Sequence, residues 1–273
     1  MGAPMRSAIV ALDVVVPVFG RPDMLGPCLD SLIATSGQIS YRLFLVDDKS
    51  PKPDEMEPIY KKFGALPGVT ILRNDENLGF PKTVNRGVKD GFAPLVLLLN
   101  SDIRLQEGCL QAMMAEFADA RTGVVGARLL FPSTDDPTRP SGKLQHAGMY
   151  FNLHGEPRHT LIGWRADHPK ANKRRDDLQT VTGALLMTRR HLWEKIKGFS
   201  EVYGTGTYED VEYCVQVKHA GFNVVYQPKA TALHRVGASA EISPQKGFDL
   251  GRNHSIFMVR NSNLIQWDEF LFW

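Results

Sequence analysis

Leu95-Val96-Leu97-Leu98-Leu99-Asn100-Ser101-Asp102 runs five apolar residues directly into a short polar stretch that ends in a carboxylate. An apolar run of this length, with no polar residue alternating through it, is the pattern of a strand covered on both faces. In open α/β sheets the ligand lies beyond the carboxyl ends of the strands, so Asp102 stands where a ligand would be met.

Working back toward the N-terminus, the same strand-loop-helix unit recurs three times. Ile9 to Pro17 is a β-branched strand, followed by the break Gly20-Arg21-Pro22-Asp23 and by Met24, Leu25, Cys28, Leu29, Leu32 and Ile33 at helical spacing. Tyr41 to Val46 is the second strand, closed by Asp47-Asp48-Lys49-Ser50, and Glu55 to Phe63 reads as a helix. Val69 to Arg73 is the third, with an Asn-Gly-rich turn and a helix from about Pro81 to Lys89. Strands alternating with helices predict an α/β, Rossmann-like fold with a mostly parallel central sheet flanked by helices. Pro17-Val18, Asp47-Asp48 and Asn100-Ser101-Asp102 then share one rim.

Toward the C-terminus the pattern is less regular. Residues Pro132 to Pro140 read as a loop, and polar, histidine-rich Gly155 to Asp177 reads as a long loop or lid. Within it Trp164, Arg165 and His168 could cover a bound ligand. A strand over Thr180 to Thr188, helices near Arg190 to Lys195 and Asp210 to Ala220, and a short strand at Val224 to Gln227 follow, with His234 in a loop. The aromatic end, Trp267 to Trp273, reads as a docking surface for a membrane or another domain, or as a boundary within a longer protein.

Lys and Arg total 32 against 30 Asp and Glu, a net charge of +2 that gives no broad field for nucleic acid. Cys28, Cys109 and Cys214 are odd in number and lack CxxC spacing, which argues against a disulfide framework or zinc ribbon and fits a reducing cytosol. No stretch approaches the ~20 apolar residues of a spanning helix. The first strand, broken by Asp13 and Pro17, lacks the pattern of a signal peptide.

Carboxylates gathered at one rim repel each other unless a cation neutralises them. Asp102 at the mouth of a buried strand could share magnesium or manganese with substrate phosphates, although a lone aspartate is more often a turn or cap residue. A second acidic group, Tyr208-Glu209-Asp210-Val211-Glu212, follows the glycine-rich Tyr203-Gly204-Thr205-Gly206-Thr207. Glycines let backbone approach a ligand closely, and a helix start can aim acidic side chains into a cleft; simple N-terminal capping explains the same pattern.

Taken in order, these stretches resemble family 2 of the inverting glycosyltransferases, in particular the bacterial rhamnosyltransferase-like branch of surface polysaccharide synthesis. The resemblance runs from about Asp13 to about Ser239. It is carried by Val14-Val15-Val16-Pro17-Val18-Phe19, Val46-Asp47-Asp48-Lys49-Ser50, Asn77-Leu78-Gly79-Phe80, Asn85-Arg86-Gly87 and Leu99-Asn100-Ser101-Asp102. Thr182-Gly183-Ala184, Tyr208-Glu209-Asp210-Val211-Glu212-Tyr213-Cys214 and Ala232-Leu233-His234 complete it.

The resemblance implies a GT-A domain over residues 8–240, with a nucleotide-binding half at about 8–130, an acceptor half at about 131–240, and a helical, aromatic extension at 241–273. It implies a nucleoside diphosphate-sugar donor, a divalent metal (manganese or magnesium), and a saccharide or lipid-linked acceptor. Pro17 and Val18 would present backbone to the nucleobase and Asp48 would accept from its ring. Asn77, Gly79, Lys82 and Asn85 would flank the nucleotide, with Lys82 beside a phosphate. Asn100, Ser101 and Asp102 take the DxD positions, Asn100 replacing the first acid; Asp102 and His234 would be metal ligands. Thr182, Gly183, Ala184 and Glu209 would lie at the acceptor and sugar, and Asp210 would be the base, with Glu209 and Glu212 as alternatives. The implied setting is cytoplasmic, or peripheral at the inner face of the membrane. A sugar nucleotidyltransferase and a non-catalytic carbohydrate- or nucleotide-binding module are the competing readings; Phe19-Gly20-Arg21-Pro22 lacks the phosphate loop of the former.

Overall fold

The computed structural model describes residues 10–235 and 246–265, so Ser239 and the aromatic stretch Trp267 to Trp273 lie outside the described residues. Twelve strands are present there: β1 (Leu12–Val18), β2 (Tyr41–Asp47), β3 (Val69–Arg73), β4 (Leu95–Leu99), β5 (Ile103–Leu105), β6 (Thr122–Pro132), β7 (Pro140–His146), β8 (Met149–Phe151), β9 (Pro157–His159), β10 (Arg175–Leu178), β11 (Leu185–Arg189) and β12 (Asn223–His234). The helices are α1 (Pro22–Ser36), α2 (Pro53–Gly64), α3 (Phe80–Lys89), α4 (Cys109–Ala115), α5 (Arg190–Ile196), α6 (Glu209–His219) and α7 (Lys246–Asn261).

The main sheet has the order β10-β12-β6-β11-β4-β1-β2-β3, with β5 against β12 and β7 against β6. The half β3-β2-β1-β4 is parallel throughout. Beyond it the sheet is mixed, because β11 runs antiparallel to both β4 and β6 while β12 is parallel to β6. Successive side chains of a strand face opposite ways. Hence Val14 and Val16 of β1 join a core with Leu25 and Leu29 of α1, while Val15 joins a second core with Val84 and Val88 of α3. The helix α3 approaches the sheet so closely at Gly87 that a Cβ there would stand 2.5 Å from Val15 Cγ1.

Asp13 is the one charged residue of β1, and it is fully buried. Its Oδ1 accepts from Arg42 Nε and Nη2 at 2.9 and 2.7 Å, and its Oδ2 accepts from Arg190 Nη2 and Ala93 N at 2.7 Å each. The ion pairs tie β1 to β2 and to the start of α5, and the carboxylate is saturated by charged and backbone donors, the condition under which a buried charge is tolerated.

Two expectations are corrected. Gly155 to Asp177 is not a featureless loop: it holds β9, a turn of 3-10 helix at Pro169–Asn172, and the start of β10, which pairs with β12 at Arg175 and Tyr226. The strand read as Val224 to Gln227 is β12, which continues to His234, its ladder on β6 shifting register between Gln227 and Thr231. His234 is therefore the last residue of a paired strand, opposite Ile103.

A third core of Phe151, Tyr203, Tyr208, Val211, Val215, Phe257 and Ile265 joins α7 to α6 and β8. Among the described residues, no helix is long and apolar enough to cross a membrane.

Candidate active site

The carboxyl ends of β1 and β4 open on a cleft of about 420 Å³. Its first wall is built around Asp48, just past β2. Asp48 N donates to Val18 O at 2.8 Å, and the carboxylate accepts from Asn74 Nδ2 and Leu78 N through Oδ1 (2.7 and 2.8 Å) and from Gly79 N through Oδ2 (2.9 Å). Three N–H donors converge on this one carboxylate and wrap the 74–79 turn around it. That turn brings Asn77 and Gly79 to the cleft beside Pro17 and Val18.

Asp47 leaves the rim. Its Oδ1 accepts from Ser50 N and Ser50 Oγ at 2.9 and 2.6 Å, which closes the turn after β2. Lys82 and Asn85 also lie outside the cleft lining. Lys82 is exposed on α3, and Asn85 is engaged elsewhere: Nδ2 donates to Phe199 O (2.8 Å) and Oδ1 accepts from Phe199 N (2.9 Å).

The second wall follows β4. Asn100 N donates to Ala184 O at 2.9 Å, so the segment leaving β4 is laddered to the segment entering β11. Asn100, Ser101 and Asp102 all line the cleft, and Asn100 Oδ1 and Asp102 Oδ1 are buried without a hydrogen-bond partner. His234 Nε2 lies 3.4 Å from Asp102 Oδ1. On the far side of the ring, Nδ1 is 3.1 Å from Gln145 Oε1, which can only accept. Nδ1 therefore donates to Gln145, and Nε2 is left facing the Asp102 carboxylate. An imidazole nitrogen and a carboxylate oxygen converging at the cleft are a pair of groups that can share a bound cation. Among the described residues no group of three or more His, Cys, Asp or Glu is disposed to hold a metal. The oxygen-plus-imidazole pair, with the orphaned Asn100 amide oxygen nearby, fits manganese or magnesium that takes its other ligands from water and phosphate.

Beside the segment leaving β4, Thr182, Gly183 and Ala184 and the start of α6 also line the cleft. Asp210 Oδ2 accepts from Gly183 N at 2.6 Å and Oδ1 accepts from Val211 N at 2.8 Å. A Cβ on Gly183 would lie 2.9 Å from Asp210 Cβ, so the glycine permits the contact. Burial pushes the Asp210 pKa above the ordinary value, and the two backbone donors oppose that shift. Glu209 is buried and also lines the cleft. Glu212 does not: its Oε1 accepts from Arg260 Nε (2.7 Å) and Asn261 Nδ2 (3.0 Å) on α7.

The glycine-rich segment before α6 contributes Thr205, Gly206 and Thr207 to the cleft, and Phe19, Phe80 and Thr83 line it as well. Gly79 must be glycine, since φ is +83° and a Cβ would sit 2.2 Å from Gly204 O. Trp164 and Arg165 are exposed outside the lining, and Trp164 packs edge-on against His168.

The chain is similar to proteins that share this arrangement of strands. The sequence model described as glycosyl transferase family 2 matches residues 13–196. An uncharacterised protein, y4gI, of Sinorhizobium fredii is 26% identical over 241 residues, covering 86% of this chain and 26% of that protein. O-antigen biosynthesis protein RfbC of Myxococcus xanthus is 26% identical over 235 residues, covering 84% of this chain and 17% of that protein. The chain thus spans about a quarter or less of those relatives' length. GalNAc-T7, solved with UDP, GalNAc and Mn2+, superposes with a TM-score of 0.67 at 13% identity, covering 84% of this chain and 44% of that one. The mannosyltransferase PcManGT of Pyrobaculum calidifontis, solved with GDP-Man and Mn2+, gives 0.59 at 15% identity, covering 82% and 56%. The fold is that of the GT-A glycosyltransferases. The family match begins at buried Asp13 and runs through the Asp48 and Asp102 strand ends to the close of α5, more than half of the sequence, and the chain accordingly belongs to glycosyl transferase family 2.

Proposed function

We propose that the chain transfers a sugar from a nucleoside diphosphate-sugar to a hydroxyl of a saccharide or lipid-linked acceptor, with inversion at the anomeric carbon, in surface polysaccharide or glycan synthesis. One observation carries the reading: Asp102 and Asp210, far apart in sequence, line one cleft. Relatives named for O-antigen biosynthesis and N-acetylglucosaminyl transfer support the reaction class. Pro17, Val18, Asn77 and Gly79 form the nucleotide side, which Asp48 shapes through its grip on the 74–79 turn.

Asp102 and His234 would hold a divalent cation, which when bound neutralises charge on the diphosphate. Asp210 takes the proton of the acceptor hydroxyl as that oxygen bonds to the anomeric carbon. The bond from that carbon to the diphosphate oxygen breaks, and the electron pair leaves with the nucleoside diphosphate. A single carboxylate on the acceptor side suffices for this one displacement. A base is most effective when its pKa is drawn toward the working pH, the direction in which burial moves Asp210.

Asp210→Asn tests the reading. Turnover should fall by roughly 10²–10⁴-fold while UDP or GDP with manganese still binds. A variant that transfers sugar at the wild-type rate removes Asp210 from the role.

A further inference from the structure

The segment Tyr203 to Tyr208, which ends two residues before Asp210, is held in an unfavourable backbone shape. Thr207 and Tyr208 have φ of 77° and 73°, and Gly204 and Gly206 are also positive. Consecutive non-glycine residues in the left-handed region persist only where the surroundings impose them. One side is imposed by the Gly79 turn, whose Phe80 N donates to Thr205 O at 3.4 Å.

The other side is imposed by α7, which lies beyond the region matched to the family. Asn253 is fully buried, and four oxygens surround its Nδ2: Tyr203 O (3.0 Å), Gly206 O (2.8 Å), Thr207 O (3.3 Å) and Thr207 Oγ1 (3.1 Å). Only a donor group satisfies such a ring, and its two N–H bonds are shared among the acceptors. Arg252 Nη1 donates to the opposite end of the amide, Oδ1, at 3.0 Å, and Arg252 Nη2 donates to Val202 O at 3.1 Å. Asp249, one turn earlier, accepts from Thr205 Oγ1 at 2.6 Å. Residues 249, 252 and 253 fall at i, i+3 and i+4, on one face of the helix.

We propose that Asn253 is a positioning residue for the sugar transfer proposed above: it locks residues 203–208 in the strained shape that presents Asp210 to the cleft. The inference rests on that reading for its kinetic consequence, but the clamp itself is testable without turnover. Without it, the segment relaxes toward ordinary backbone and the start of α6 loses its fixed approach to the acceptor side.

The test uses the full chain, a panel of UDP-, GDP- and dTDP-sugars, and amide hydrogen exchange. Asn253→Ala should lower kcat by roughly 10–100-fold with donor KM changed by less than about threefold. Exchange should quicken about tenfold or more at 203–209 while β1 and β4 keep their protection. Adding Thr207→Gly should recover part of the lost kcat, since glycine adopts positive φ without strain. Asp249→Ala, which removes one outer bond, should shift both readouts the same way by less, and it carries the test if Asn253→Ala does not fold. Wild-type kcat in the Asn253 variant, or faster exchange spread over the whole sheet, overturns the proposal. If the wild-type chain turns over none of the sugars, the transfer reading fails; unchanged exchange at 203–209 then overturns the clamp as well, and local quickening upholds it.

Discussion

The backbone N–H of Gly183 meets Asp210 Oδ2 at 2.6 Å, and nothing larger than glycine fits between them. The residue entering β11 thus holds the carboxylate at the start of α6. Gly183→Ala would press a methyl against Asp210 Cβ at 2.9 Å and push the proposed base out of place. Steady-state kinetics should show kcat down by roughly 10–100-fold with the donor KM little changed; equal kcat would mean that Asp210 tolerates displacement.

The acid limb of the pH profile should be displaced. Burial raises the Asp210 pKa, so the carboxyl keeps its proton to a higher pH than an exposed aspartate does. As the proposed base, Asp210 acts only when deprotonated, so kcat should fall as pH drops through that raised value and recover above it. A profile of kcat/KM on the free enzyme reports this group; an acid limb in the ordinary aspartate range contradicts the assignment.

Gln145→Leu should weaken use of the proposed divalent cation while leaving the proposed base, Asp210, in place. Gln145 Oε1 accepts from His234 Nδ1 and so orients the ring with Nε2 toward Asp102. Loss of such an outer partner raises the metal requirement by about 10–100-fold. Activity titrated with manganese after chelation measures it: the half-saturating concentration should rise while activity at saturating metal stays near wild type.

Asp13→Ala should destabilise the fold by about 3–5 kcal/mol. It leaves the Arg190 guanidinium, whose side chain is 11% exposed, facing an empty site, together with Arg42 and the Ala93 amide. Urea unfolding should show a lower midpoint with an unchanged slope.

Much of the N-terminal half is legible in sequence because β1, β2 and β4 carry unbroken apolar stretches (Val14 to Val16, Leu43 to Val46, Leu95 to Leu99) and α1 to α3 keep helical spacing. The strand β6 is not legible, since Gly123 and Gly126 interrupt its pattern. Both are glycine for a reason only the fold supplies: a Cβ would lie 2.5 Å from Val217 Cγ1 at the first and 2.6 Å from Val181 Cβ at the second. The end of β12 is hidden by Pro228, which a register shift absorbs. In the cleft, Asp48, Asp102 and Asp210 are visible as carboxylates at strand ends or a helix start. Lys82 and Asn85 come from motif resemblance alone, which says nothing of the Phe199 backbone that engages Asn85. Gln145 and Asn253 carry no local signal, because the groups that they hold are 89 and 46 to 50 residues away in the chain.

The antiparallel seam between β4 and β11, extended by the Asn100–Ala184 hydrogen bond, joins the Asp102 side of the cleft to the Gly183 side by main-chain ladder alone. In the transfer proposed above, the span from the phosphate side to the acceptor side is therefore set in part by peptide groups, which every amino acid possesses. Substitutions in the connections around the rim can then change what the cleft accepts while that backbone seam stays in place.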